Sequence, residues 1–569
     1  MIKCLCLVLV LVEVTCSRAI APGEALHGLQ VTYGSKGIER VTFGRQTLSD
    51  VERWPEDQFH IWHMKCFDRT GRELTTGEYG WGENNQGRTW DVAEKTWTYR
   101  FAWGTLRVQF KQRGDALDVI TTATNRGDSG VAFDGASVYP LTFHLPASSK
   151  SPGSIVDGAE APGVSVMNWG DGQVIAVAPD ADKPVWSGFQ PGAGGAFVSL
   201  VSGTRPDALK AEAGERPGLA VQPGQSVVMK LSFRFARGSS LPIRLANDAY
   251  RAFALRWPPR LEWKDRSVIG TVYMASSGHG NKTQPAGFRT NPRRYFNDNS
   301  IDVKSAQGLA QFQARVLAQA ETVVQNMRRM DAQGAITWDI EGQEYPQDTS
   351  YVCAPDAIAQ VAPEMESVIR DSGSRYVGMK LDDAYFRTIR DAGFRVGVCV
   401  RPQSFVVNAG TASQVSLPDG DVAAELIRKM RYAHDRWGVT LFYMDSTVRA
   451  DGSSLPAEVL EKAAAAVPDS LVMPEESTTR MYRVMAPFQT FMFHGDLGTQ
   501  ADVRGIYPHA FSVNLVNDVE PAKLFAHHAA LMDSVRRGDV LLLHADTWHT
   551  NNAVVVEMLR QVRPGKTGN

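Results

Sequence analysis

Residues 422–445, VAAELIRKMRYAHDRWGVTLFYMD, decide the fold. Val422 to Trp437 has the apolar spacing of an amphipathic helix, and Thr440–Asp445 follows as an apolar run that ends in an acid. Such a run fits a strand buried on both faces, as in a parallel sheet covered by helices. The unit recurs. Candidate strands Ser267–Ala275, Ala335–Ile340, Arg395–Arg401, Ser470–Pro474, Thr490–His494, Ala510–Leu515 and Val540–His544 each close on polar residues. Helical stretches Ala306–Gln333, Asp382–Ala392, Pro456–Ala466, Pro521–Arg537 and Ala553–Val562 alternate with them. Eight strand-then-helix units predict a closed (β/α)8 TIM barrel over residues 265–569. No GxGxxG or GxxxxGK[ST] fingerprint follows any strand, which argues against a dinucleotide or P-loop fold.

Residues 22–240 read differently. Short β-branched or aromatic segments, among them Leu29–Tyr33, Trp97–Phe101, Leu106–Lys111, Leu117–Thr122, Val174–Ala178 and Ser226–Phe235, are separated by turn signals such as Arg113-Gly114-Asp115. This predicts an N-terminal antiparallel β-sandwich. Its polar candidates, His60, Trp62, His63, Glu78 and Asp91, read as a solvated sheet face. Residues 241–264 form a linker in which Asp248–Trp257 is a short helix stopped by Pro258-Pro259.

Composition narrows the partners. The chain has 569 residues, 43% hydrophobic and 21% charged, as in a soluble globular protein. A net charge of −2 supplies no basic excess for a nucleic-acid backbone, so no nucleic-acid partner is expected. Residues 1–21 read as a signal peptide: Lys3 gives the positive start, Leu5–Val12 the short apolar run, and Ala19 and Ala21 are cleavage candidates. The mature protein is therefore expected to be secreted or periplasmic, with no integral membrane segment. Cys66, Cys353 and Cys399 remain after cleavage and, being scattered, suggest neither a disulfide framework nor a metal site.

In such a barrel the active site lies at the carboxyl ends of the strands. Those ends carry Asp339 and Glu341 with a spacing of two, Arg401 before a proline, Asp445, Glu475-Glu476, His494, and the group His544, Asp546, Trp548 and His549. Several carboxylates with one Arg, His and Trp suit carbohydrate chemistry, in which one carboxyl attacks or positions water and another protonates the departing oxygen. Strand alternation puts Asp445 in phase with Tyr443 and Leu441, and Glu475, rather than Glu476, in phase with Met473 and Leu471. No HxH, HExxH or Cys-rich cluster is present, so no metal or cofactor is expected.

With Tyr443-Met444-Asp445-Ser446 after strand four and Pro474-Glu475-Glu476-Ser477 after strand five, the chain resembles retaining glycoside hydrolases of the α-galactosidase and α-glucosidase superfamily and the related endo-α-N-acetylgalactosaminidases. The resemblance implies a mutarotase-like sandwich packed on the catalytic barrel, Asp445 as nucleophile and Glu475 as acid/base. The expected function is thus hydrolysis of α-linked oligosaccharide or polysaccharide. Asp339, Glu341, Arg401, His494, Asp546 and Trp548 would bind the sugar. An inverting enzyme using the same carboxylates, or a non-catalytic carbohydrate-binding protein, is the alternative. Export is checked by N-terminal sequencing of the mature protein: a start near Ile20 or Pro22 is expected, and a start at Met1 or a lipid on Cys16 contradicts it.

Overall fold

The computed structural model describes residues 28–50, 60–68, 73–75, 85–139, 142–143, 156–170, 172–179, 186–192, 195–202, 219–238, 242–274, 301–341, 352–408, 411–490, 498–516 and 521–562. The N-terminal part is antiparallel throughout its described ladders. A seven-stranded sheet runs in the order Ser165–Gly170, Gln173–Pro179, Ser226–Arg237, Ala116–Asn125, Gly104–Arg113, Thr96–Phe101, Asn85–Asp91. A three-stranded sheet, Leu29–Gly34, Gly37–Phe43 and Gln46–Asp50, shares its core: Val41, Leu48, Val108, Leu117, Val119, Leu231 and Phe233 are all fully buried. A further sheet contains His60–Asp68 and Val131–Tyr139, and Val131 joins the same core. Alternation explains the layering, because every second residue of Gly104–Gln109 turns inward. The expected β-sandwich is thereby met.

The C-terminal part is an eight-stranded parallel sheet. Its strands are β1 (Ile269–Tyr273), β2 (Gly334–Trp338), β3 (Arg395–Val400), β4 (Val439–Met444), β5 (Leu471–Pro474), β6 (Phe488–Thr490), β7 (Val513–Leu515) and β8 (Val540–His544). They pair in the order β5-β4-β3-β2-β1-β8-β7-β6. Ile269, Ile336, Leu441, Leu471, Val513, Val540 and Leu542 fill the interior, while a second core lies between strands and helices. Helices begin and end where local chemistry dictates. Ser305 caps Ala306–Met330 by accepting from the Gly308 N–H at 3.0 Å, and Gly438, at φ +70°, ends Asp419–Trp437 in a left-handed turn against Arg390.

Two expectations need correction. Among the described residues the barrel is not fully closed, because no ladder joins β5 to β6; of the sixth strand expected over Thr490–His494 only Thr490 is described, as the end of Phe488–Thr490. One backbone bond, Ala486 N–H to Val472 carbonyl at 3.0 Å, bridges the seam, and the next β5 donor on that side would come from Pro474, which has no N–H. The helix expected over Pro521–Arg537 is two, Pro521–Ala526 and His528–Arg536, broken at His527. Among the described residues no helix is long and apolar enough to cross a membrane.

The sandwich side reaches into the barrel. Helix Asn247–Arg256 buries Tyr250 and Phe253 against Tyr482, Val503 and Tyr507, in a cluster that also takes in Ala178. Glu160, buried, accepts from the Ala457 N–H (3.1 and 3.2 Å) and the Thr478 hydroxyl (2.8 Å), and its carbonyl accepts from the Arg480 N–H. It therefore supplies the N-terminal cap that Pro456 cannot give helix Ala457–Ala465. Glu160→Ala is expected to cost about 1 to 3 kcal/mol by loss of the cap and exposure of buried donors. Denaturant unfolding checks this, and an unchanged midpoint contradicts the role.

Candidate active site

The inward phase of β4 and β5 runs on past their ends. Leu441 and Tyr443 face the interior, and Asp445 follows; Leu471 and Met473 face it, and Glu475 follows. Backbone bonds extend both ladders by one step: Asp445 N–H to Val400 carbonyl at 3.0 Å, and Glu475 N–H to Met444 carbonyl at 2.9 Å. The chain then turns sharply at Ser446, φ +53° without glycine's freedom, and the Ser446 N–H donates to Glu475 Oε2 at 2.6 Å. Glu476 is exposed, and its N–H goes to the Thr447 hydroxyl, so Glu475 is the glutamate facing Asp445.

Arg401, at the end of β3, clamps Asp445. Its Nε and Nη2 both donate to Asp445 Oδ2, at 2.9 and 2.6 Å, while Nη1 donates to Gln414 Oε1 at 2.9 Å. Arg401 is 6% exposed and Asp445 7%. Two ions this deep are tolerable only because they are paired. Asp445 Oδ1 accepts from the Ser446 hydroxyl at 3.1 Å. Glu475 lies within hydrogen-bonding reach of Asp445, and burial together with the Asp445 charge pushes its carboxyl up to about 7.

The other candidates spread around this pair. Trp338 faces inward, and at Asp339 (φ +48°) the chain leaves the strand, so Asp339–Glu341 is a turn rather than the extended segment expected. Asp339 Oδ1 accepts from the Val352 and Cys353 N–H groups, at 2.9 and 3.4 Å. Glu341 is buried near Lys429, and its desolvation raises it to about 7. Lys429 in turn donates to the carbonyls of Arg401 (2.9 Å) and Gln403 (2.7 Å), bracing the clamp from behind. Asp339 and Glu341 are each 1% exposed.

At the other side, His544 Nδ1 lies 3.4 Å from Asp546 Oδ1, and Asp546 Oδ2 accepts from the Tyr273 N–H at 3.4 Å. A band of rings runs His544, Tyr273, Trp338, Tyr443, Phe488, with centroid spacings of 5.8, 5.2, 4.8 and 5.0 Å, and forms an aromatic floor beneath the carboxyls. Trp548 is not part of it. Its ring is covered by the Arg329 guanidinium at 3.4 Å, on the outer helix Ala306–Met330, because the chain has left the strand by that point. His494 lies outside the described residues.

Sequence reading missed Lys429 and the cysteine pair. Lys429 sits on the buried stripe Val422, Leu426, Ala433, Trp437, where a lysine in the apolar phase is itself a signal. Cys353 and Cys399, expected to be unrelated, have sulfurs 2.8 Å apart, an approach made by the fold and not by sequence spacing.

No protein-family model matches the sequence, and no curated protein matches it. Solved structures that resemble it include the α-galactosidase from Lactobacillus brevis (11% identity, TM-score 0.45, covering 94% of this chain and 81% of that one). A GH36 α-galactosidase from Geobacillus stearothermophilus follows (12%, TM-score 0.43, 88% and 75%). A putative aldose 1-epimerase from Escherichia coli K12 covers 37% of this chain and 100% of its own (13%, TM-score 0.28).

Glu475 holds its proton more tightly folded than unfolded, so its contribution to stability is present below the unfolded value near 4.3 and is lost as pH rises through about 7. Glu475→Gln removes that loss. The variant is expected to gain on the wild type by on the order of 2 kcal/mol between pH 5 and pH 8. Parallel Tm curves across this range contradict it.

Proposed function

We propose that the chain is a glycoside hydrolase that cleaves α-linked sugars with retention of configuration. The observation that carries this reading is the carboxyl pair: Asp445 against the Arg401 cation, and beside it Glu475, which keeps its proton up to about 7. One group is set up as an ion and the other as an acid, the division of labour the reaction requires. Asp445 Oδ1, the oxygen not taken by Arg401, attacks the anomeric carbon. Glu475 gives its proton to the departing glycosidic oxygen, then takes one from water as that water releases the sugar from Asp445. Retention needs the carboxyls about 5 Å apart, so their mutual contact opens as sugar enters. Glu475 is the partner free to swing, since Asp445 is held at two points. Inversion asks for about 6.5 to 9.5 Å, which a pair already in contact serves less well.

The α-linkage rests on the resemblance of the strand-four Asp and strand-five Glu endings. Export, suggested by Lys3 and the Leu5–Val12 run, places the substrate outside the cytoplasm and belongs to the same proposal.

Screening a panel of aryl α-glycosides supplies the substrate for the test. Asp445→Asn is expected to lose at least about 10³-fold in kcat on every substrate. Glu475→Gln is expected to lose about 10²- to 10⁴-fold with poor leaving groups, far less with activated aryl groups, and to recover with azide. Wild-type kcat/KM is expected to fall as pH rises above about 7, as Glu475 loses its proton. Near-normal turnover by Asp445→Asn contradicts the reading, as does an equal loss by Glu475→Gln on all leaving groups.

A further inference from the structure

Beneath the carboxyl pair, Cys353 and Cys399 are fully buried on the barrel interior, with sulfurs 2.8 Å apart. We propose that these two residues are joined by a disulfide bond, a covalent tie between the crossover that follows β2 and strand β3 itself. The backbone fixes Cys353 from several directions. Its N–H points to Asp339 Oδ1, its carbonyl accepts from the Arg401 N–H at 3.1 Å, and its φ of +43° is one a non-glycine residue adopts only when its surroundings impose it. Cys399 is held in the β3 ladder opposite Tyr443. The sulfurs are therefore brought together by the fold, and a bond of about 2.05 Å needs only a small further approach.

A metal is the competing use of these groups, since Cys353, Cys399 and Asp445 offer ligand atoms within 4.8 Å of one another. Two thiolates on one tetrahedral zinc, each at about 2.3 Å, stand about 3.8 Å apart. The observed sulfurs are much closer than that. The third ligand is also engaged, because Asp445 Oδ2 already takes two N–H groups of a cation that would repel a metal ion.

The bond forms by exchange with an incoming disulfide. One cysteine thiolate attacks a sulfur of that disulfide and expels a thiolate; the second cysteine attacks the resulting mixed disulfide and expels the other. The two cysteines lose two electrons and two protons, and the incoming disulfide becomes two thiols. Burial raises both thiols, Cys399 to about 12, so exchange belongs to the folding chain, before the interior closes.

The proposal needs an oxidising compartment. Full-length protein is therefore made in the oxidising compartment of a heterologous host, which separates this question from natural export, for which N-terminal sequencing is the test. The protein is denatured in iodoacetamide without reductant, digested and mapped by mass spectrometry, with zinc and copper measured on the same sample. A cross-linked peptide pair containing Cys353 and Cys399 is expected, both becoming alkylated only after phosphine reduction. Cys353→Ser/Cys399→Ser is expected to lower Tm by about 5 °C. Should that variant fail to fold, the wild-type map still decides. Alkylation of both cysteines without reductant, or a stoichiometric metal removed by chelator, overturns the proposal.

Discussion

The Arg401–Asp445 pair is the constraint around which the barrel mouth is organised. Both ions are buried, and removing either partner would strand the other's charge at a cost of about 3 to 5 kcal/mol. Much of the surrounding structure holds that pair. Lys429 bonds the Arg401 carbonyl, Gln414 takes the guanidinium's third contact, Cys353 accepts from its N–H, and the Asp445 N–H closes the β3–β4 ladder. An ion so tightly framed cannot move far, and the nucleophile proposed for Asp445 has little need to. Glu475 is held by the Ser446 N–H and its contact with Asp445 and has no ion-pair clamp, and the proposed mechanism asks it to move.

Strain marks the same place. Asp339, Cys353 and Ser446 all have positive φ without being glycine, and they lie after β2, within the β2–β3 crossover and after β4, around the same carboxyls. Asp339 and Ser446 turn chains that are leaving a strand, and Cys353 turns the crossover. The cost of such conformations is met by the bonds they permit: Ser446 N–H to Glu475, Cys353 N–H to Asp339. The sandwich side adds to the support, because Glu160 holds the backbone just beyond Glu475 at Thr478 and Arg480.

How much of this the sequence revealed depended on distance from regular structure. Seven of the strands were readable because each is apolar and bounded by polar residues, whereas the sixth, expected over Thr490–His494, is seen at Phe488–Thr490 with residues 491–494 outside the described ones; the phases of Asp445 and Glu475 followed from alternation while the strand lasted. Past the strand end that rule fails. Trp548 lies four residues beyond β8 and packs under Arg329, and Asp339–Glu341 curls where an extended segment was expected. At the seam between β5 and β6 the next donor would come from Pro474, and which proline falls on that side is a register visible only in three dimensions. Lys429 and the cysteine pair are long-range contacts, although the lysine's place on an apolar stripe was a clue in plain sight.

The central claim is that Asp445 is the atom donor to a covalent glycosyl intermediate. The most direct measurement uses activated 5-fluoro α-glycosyl fluorides, whose intermediate forms faster than it hydrolyses, followed by mass spectrometry of the digested protein. The account predicts one sugar per chain, attached to the peptide that carries Asp445. Turnover of a confirmed substrate with no adduct trapped, or a sugar on Glu475 or any other carboxyl, would contradict it.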